Sequence, residues 1–197
     1  MPKQFQFKED AREQLMQGID LMAKTVGITL GPNGRNVVLD KEFGPPQVCS
    51  DGVTIAKEIE LEEPFLNMGA QLLKEAASKT NDMVGDGTTT STILAQAILK
   101  AGFRNVAAGA DPMALKRGID RAIDVITDEL KLMAREVTDE QQVAQVAVLS
   151  AHEDEMGNLI GSVINKVGKD GVVTVEESRG LAYEVEYVDG MEIDRGY

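Results

Sequence analysis

The sequence predicts a mostly α-helical protein, with a helical block over residues 1–133 and a smaller α+β block behind it. Three observations predict this. Apolar residues recur at three- and four-residue spacing through several long segments before Arg135. Clusters of Gly, Pro, Asn and Asp separate those segments. Beyond Arg135 the pattern changes, and two short stretches alternate apolar and polar residues as strands do.

The elements follow in order. Phe5 and Phe7 alternate with Gln4, Gln6 and Lys8, which predicts a short strand. A long helix starts near Asp10, with Leu15, Ile19, Met22 and Val26 as its core stripe. Thr29-Leu30-Gly31-Pro32-Asn33-Gly34 stops it. Asn36–Asp40 reads as a strand, Gly44-Pro45-Pro46 turns the chain, and Gln47-Val48-Cys49 returns as its hairpin partner. Asp51-Gly52 is a turn leading into an apolar unit. Pro64 opens a helix with Phe65, Met68, Leu72 and Ala76 on one face. The helix after Gly87 is expected to end by Gly102. Asp111-Pro112 is an N-cap and first-turn pair for an amphipathic helix with Leu115, Ile119, Ile123, Ile126, Leu130 and Met133. Thr138 and Gln141 have capping-box spacing for a short helix through Val148. Met156, Leu159, Ile160, Val163, Ile164 and Val167 mark another helix. Asp170-Gly171 turns into a strand over Val172–Val175, and Tyr183, Val185 and Tyr187 mark a second.

Composition narrows the function. Aromatic residues are only 4% of the chain and Trp is absent, so the core is aliphatic. The formal net charge of -13 argues against a general nucleic-acid or anionic-membrane binder, whose partners need positive charge. One bound nucleotide is still compatible, because backbone N–H groups and a divalent cation can supply the positive field. The acidity concentrates downstream, at Glu176, Glu177, Glu184, Glu186, Asp189, Glu192 and Asp194, and reads as a solvated face. Cys49 is the only cysteine, which excludes an intrachain disulfide and fits a reducing cytoplasmic compartment. His152 is also single, so a zinc site lacks ligands. No apolar run is long enough to span a membrane, and the N-terminus lacks a signal-peptide core.

The segment Gly85-Asp86-Gly87-Thr88-Thr89-Thr90 carries the clearest chemistry. Two glycines permit close backbone approach, and three hydroxyls crowd a predicted helix start. That end carries unpaired N–H groups and partial positive charge, which suits phosphate. An acid there makes sense beside phosphate when a divalent cation lies between them. Asp and Thr are also ordinary N-cap residues, so these six residues alone fit a capped helix equally well. There is no Gly-x-x-x-x-Gly-Lys-[Ser/Thr] segment and no kinase catalytic-loop set, which disfavours those nucleotide folds.

Further segments widen the picture. Thr29-Leu30-Gly31-Pro32-Asn33-Gly34-Arg35-Asn36-Val37-Val38-Leu39 resembles the first nucleotide loop of group I chaperonins. So does Ser50-Asp51-Gly52-Val53-Thr54. Asn67-Met68-Gly69-Ala70-Gln71, the Gly85–Thr90 loop, Ala107-Ala108-Gly109, Pro112-Met113 and Leu115-Lys116-Arg117-Gly118-Ile119-Asp120 continue the likeness in order and spacing. Asp194-Arg195-Gly196-Tyr197 closes it. The resemblance spans essentially the whole chain.

The resemblance implies a helical equatorial ATP-binding domain over 1–133 and the first pass of an intermediate domain over 134–189. Residues 190–197 would begin an apical domain. Thr29, Leu30, Gly31 and Pro32 would line the nucleotide. Asp86 would hold Mg²⁺, and Gly87, Thr88, Thr89 and Thr90 would cradle the phosphates. Asp51 would help position the attacking water, with Gly52 beside it. Ser50 stands where many relatives have Lys, next to a K⁺ site, and a backbone carbonyl ligand would survive that change. The resemblance further implies a homo-oligomeric ring that folds non-native proteins with ATP and a co-chaperonin, and no nucleic-acid or membrane partner.

Two other departures stand out. Arg135-Glu136-Val137 lacks a common hinge proline, and Leu149-Ser150-Ala151-His152 replaces a more usual Ile-Ser-Ala-Asn. Chaperonin subunits are much longer, so the chain is expected to be an N-terminal fragment. In the family the second catalytic carboxylate and further nucleotide contacts come from returning segments, and the 36–50 hairpin pairs with a neighbour's C-terminal strand. Aliphatic surface is therefore expected to be exposed. The alternative for the isolated chain is a nucleotide-binding or assembly module without turnover.

Overall fold

The structure is a computed structural model that describes residues 3–41, 44–168, 171–176, 180, 182–188 and 190. It is mostly α-helical, as the sequence predicts, with seven helices and one two-stranded sheet among the described residues. The chain divides into two compact units, Met1–Asp124 and Val125–Tyr197.

In the first unit α1 spans Lys8–Gly27 and buries Gly18, Ile19, Met22, Ala23 and Val26. Burying each large side chain of that stripe contributes about 1.5–3 kcal/mol. β1 (Val37–Leu39) and β2 (Gln47–Cys49) pair antiparallel, with Val38 opposite Val48. α2 (Gly52–Glu58) follows after Ser50 and Asp51 and buries Val53, Ile55 and Ala56. α3 spans Pro64–Val84, with Pro in its first turn and Glu63 accepting from the Leu66 N–H. α4 (Thr88–Ala107) and α5 (Pro112–Met133) complete the helices that begin in this unit.

The core joins Ile19, Met22 and Val26 of α1, Leu39 of β1, Ile55 and Ala56 of α2, and Ala70, Leu73 and Ala77 of α3. α1 and α3 touch through backbone. A Cβ on Gly18 would collide with the Leu66 carbonyl oxygen, and one on Gly69 with that of Leu15. α4 is tied to α1 by Asp20, whose carboxylate accepts from Gln96 and from Lys100 at 3.1 Å. The Gln96 hydrogen bond, aided by Lys100 and resisted by burial, holds the Asp20 carboxyl below the usual carboxylate range.

In the second unit α6 (Glu140–Ala151) and α7 (Asp154–Val167) form a hairpin. Gly161 packs where a Cβ would come within 2.8 Å of the Ala144 Cα, so the two backbones nearly touch. His152 makes the turn between the helices in the left-handed region, at φ 56°. His, like Asn and Asp, takes that conformation more readily than most side chains, so the departure at 152 keeps a workable helix cap. Tyr183 donates to Glu153, and the Lys166 ammonium sits 3.6 Å from the Tyr187 ring centroid.

Several local expectations change. Residues 3–7 form no strand, and Phe5 and Phe7 instead stack on each other with centroids 6.5 Å apart. Residues 172–175 and 183–187 form no ladder among the described residues. Alternation reports which side chains share a face, while a strand also needs a hydrogen-bonding partner. α4 continues through Gly102 to Ala107, because one glycine in a helix interior costs only about 1 kcal/mol. The cap of α6 is Asp139, one residue later than Thr138, and it accepts from the N–H groups of Gln141 and Gln142. α3 buries Gly69, Ala70, Leu73 and Ala77, whereas Met68 and Leu72 are exposed. Asp170 and the closing Asp194–Tyr197 lie outside the described residues. Of the apolar stripe of α5, Leu115 and Ile119 are half-buried, while Ile123, Ile126, Leu130 and Met133 are exposed among the described residues.

Candidate functional site

Three connections of the first unit converge, and each converges for a local reason. The first follows α1. Thr29 and Leu30 N–H groups bond back to the carbonyls of Val26 and Gly27, which tightens the helix end. Gly31 then takes φ +80°, a conformation that suits glycine, and Gly34 N–H returns to the Gly31 carbonyl at 2.9 Å. Leu30, Gly31 and Pro32 are left exposed at the loop tip.

The third connection joins α3 to α4 in three residues. Gly85 ends α3 in the left-handed region, with its N–H on the Asn81 carbonyl. Gly87 precedes α4, also left-handed, at φ 77°. Asp86 is exposed between these two glycines, and its Oδ1 accepts from the Gly87 N–H at 2.6 Å. Among the described residues its Oδ2 has no partner. Among the described residues no side chain caps α4, and the N–H groups of Thr88, Thr89 and Thr90 have no partner there. Thr88 is buried, and its carbonyl accepts from Ser91 Oγ at 2.9 Å and Thr92 Oγ1 at 2.8 Å. Both hydroxyls are thereby satisfied within the first turns of α4.

The second connection is Ser50-Asp51-Gly52, between β2 and α2. Gly52 lies against α4's first turn: a Cβ there would strike Thr89 Oγ1 and come within 2.9 Å of Thr89 N and 3.0 Å of Thr88 Oγ1. Thr29 Oγ1 approaches the same residue, 3.4 Å from Thr89 Oγ1, and donates to the Val26 carbonyl. Thr29, Gly52, Thr88 and Thr89 are thus brought together from positions far apart in the chain. Leu30, Gly31 and Pro32 are exposed in the first connection, and Ser50 is exposed in the second. Thr90 is exposed one residue beyond it.

Asp51 caps α2. Its Oδ2 accepts from Thr54 N–H at 2.9 Å and Thr54 Oγ1–H at 2.6 Å. The sequence reading assigned no role to Thr54, although Asp-x-x-Thr is capping spacing. Ser91 and Thr92 were also missed, because i→i−3 and i→i−4 hydroxyl bonds look like any Ser or Thr in a helix.

The donor set fits a magnesium nucleotide. An exposed carboxylate oxygen, three unpaired N–H groups at the start of a 20-residue helix and several hydroxyls meet at one junction. Oxygen donors suit Mg²⁺, and the helix start suits phosphate.

Residues 22–197 match the TCP-1/cpn60 chaperonin family. Among solved structures the chain is similar to the chaperonin gp146 from the bacteriophage EL 2 (Pseudomonas aeruginosa), crystallised in the presence of ATP-BeFx. The likeness has 25% identity and a TM-score of 0.68, and covers 83% of this chain. The chain spans 29% of the length of that relative.

Proposed function

We propose that this chain, which belongs to the TCP-1/cpn60 chaperonin family, is the Mg-ATP-binding part of an ATP-driven protein-folding subunit. The observation that carries the reading is the junction of Thr29, Gly52, Thr88 and Thr89 around the uncapped start of α4. Thr29, Leu30, Gly31 and Pro32 line the nucleotide. Gly87, Thr88, Thr89 and Thr90 hold phosphate oxygens through N–H and hydroxyl groups. Asp86 holds Mg²⁺, whose charge offsets that of the phosphates when bound. Asp51 positions the attacking water, and the Ser50 carbonyl is the K⁺ ligand on this side of the site.

Residues 1–133 act as the equatorial domain and 134–189 as the first pass of the intermediate domain. Residues 190–197 begin the apical domain, through which non-native proteins and a co-chaperonin bind. The exposed Ile123, Ile126, Leu130 and Met133 of α5 support packing against further helices. The whole subunit works in a homo-oligomeric ring in the cytoplasm. Among the described residues no helix is long and apolar enough to cross a membrane.

Asp86→Ala tests the reading by calorimetry with Mg-ATP in potassium buffer. Without a P-loop lysine, the cation carries most of the charge neutralisation, so affinity is expected to fall at least ~100-fold, about 2.7 kcal/mol. The helix content stays unchanged, because α4 takes no capping bond from Asp86. Unchanged Mg-ATP affinity in this variant would remove Asp86 from the site.

A further inference from the structure

We propose that Thr54 is the positioning residue for Asp51, holding its carboxylate in the orientation that receives the attacking water. This rests on the nucleotide reading above. Asp51 Oδ2 takes two hydrogen bonds from this one residue, at 2.9 Å from the N–H and 2.6 Å from the hydroxyl. The N–H bond is ordinary capping and would persist with almost any residue at 54. The hydroxyl bond is additional, and an O–H···O⁻ bond of this length belongs to the strong, charge-assisted class.

Two donors converging on one oxygen fix the carboxylate, where one N–H leaves it free to turn. Oδ1 keeps no partner among the described residues, so it can accept from a water. The donor itself is rigid. Thr54 is β-branched, sits within α2 and is half-buried between the buried Val53 and Ile55. The location fits the role, since the adjoining Gly52 lies against Thr88 and Thr89. α2 does not depend on a doubled cap, because it is held by burial of Val53, Ile55 and Ala56.

Thr54→Val keeps the shape and the N–H bond and removes only the hydroxyl. Thr54→Ser restores the hydroxyl. Both are titrated with Mg-ADP alone and with Mg-ADP plus aluminium fluoride, which mimics the transferring phosphoryl group with a water in line. The expected result is a roughly tenfold loss of the fluoride-dependent gain in affinity for Thr54→Val, with Mg-ADP affinity unchanged and Thr54→Ser close to wild type. A Thr54→Val protein that weakens for both ligands equally, or fails to fold while Thr54→Ser behaves identically to it, makes Thr54 a cap only and overturns the proposal. So does a Thr54→Val protein that keeps the full gain. Wild-type chain that binds Mg-ADP with no gain from fluoride overturns the role of Thr54 and leaves nucleotide binding standing. Wild-type chain that binds neither ligand overturns both.

Discussion

Replacing Gly52 with alanine is expected to damage stability and nucleotide affinity together. The added Cβ would strike Thr89 Oγ1 and lie 2.9 Å from Thr89 N. The hydroxyl can rotate away, although that breaks its approach to Thr29 Oγ1 at 3.4 Å. The nitrogen cannot, because it belongs to the first turn of α4. Either α4's start or α2's start must shift. Overpacking of this kind typically costs about 1–3 kcal/mol. The same shift spreads the N–H groups of Thr88, Thr89 and Thr90 away from the 29–34 loop, so Mg-ATP affinity should fall at least ~10-fold. Urea unfolding gives the first effect and calorimetry the second. A Gly52→Ala protein with wild-type affinity would show that this junction is not part of the nucleotide site.

The largest stability loss is expected at the α1–α3 crossing. Gly→Ala in a helix interior ordinarily gains about 1 kcal/mol from propensity. At Gly18 the sign reverses, because the Cβ would collide with the Leu66 carbonyl oxygen and lie 2.8 Å from its carbon. Both atoms are backbone within α3, so no side chain can move aside. At Gly69 the reciprocal collision is with the Leu15 carbonyl, with its carbon 2.9 Å away. Separating the helices would loosen Ile19, Met22, Leu73 and Ala77 at once. Gly18→Ala should therefore lose at least ~3 kcal/mol, the upper end of overpacking costs. Gly118, on α5, has nothing within 4 Å of an added Cβ. Gly118→Ala should gain about 0.5–1 kcal/mol. Opposite signs for one substitution separate packing from propensity. A midpoint in urea that rises for Gly18→Ala would contradict the close crossing.

Much of this fold is legible residue by residue, and the failures share causes. Ile19, Met22 and Val26 announce the buried stripe of α1 because large apolar residues dominate that face. α3 defeats the same reasoning. Its buried face is Gly69, Ala70, Leu73 and Ala77, mostly small residues that carry little apolar weight. Close backbone packing needs those small residues, so the face that packs tightest looks the least hydrophobic. Met68 and Leu72 draw attention and lie outside. The amphipathic pattern of α5 is equally plain, yet a pattern cannot reveal what covers it.

The candidate site divides in the same way. The start of α4 behind Gly85-Asp86-Gly87 can be read locally, although the six residues Gly85–Thr90 alone fit an ordinary capped helix equally well. The glycines do take left-handed conformations, and α4 does start at Thr88. The approach of Thr29 to Thr89 and of Gly52 to Thr88 and Thr89 joins residues far apart in the chain. No local periodicity encodes such contacts, and only the family resemblance placed those residues in one site. Thr54 stayed invisible because its bonds to Asp51 look like an ordinary helix cap.

The central claim is that Mg-ATP binds at the junction of the 29–34, 50–52 and 85–90 connections. The most direct measurement is a Mg-ATP titration of ¹⁵N-labelled chain, followed by backbone amide shifts. The account predicts saturable shifts centred on Gly31, Gly52 and the amides of Gly87, Thr88, Thr89 and Thr90, with α6 and α7 unmoved. A folded chain whose amides do not respond, or whose responses centre away from these three connections, would contradict it.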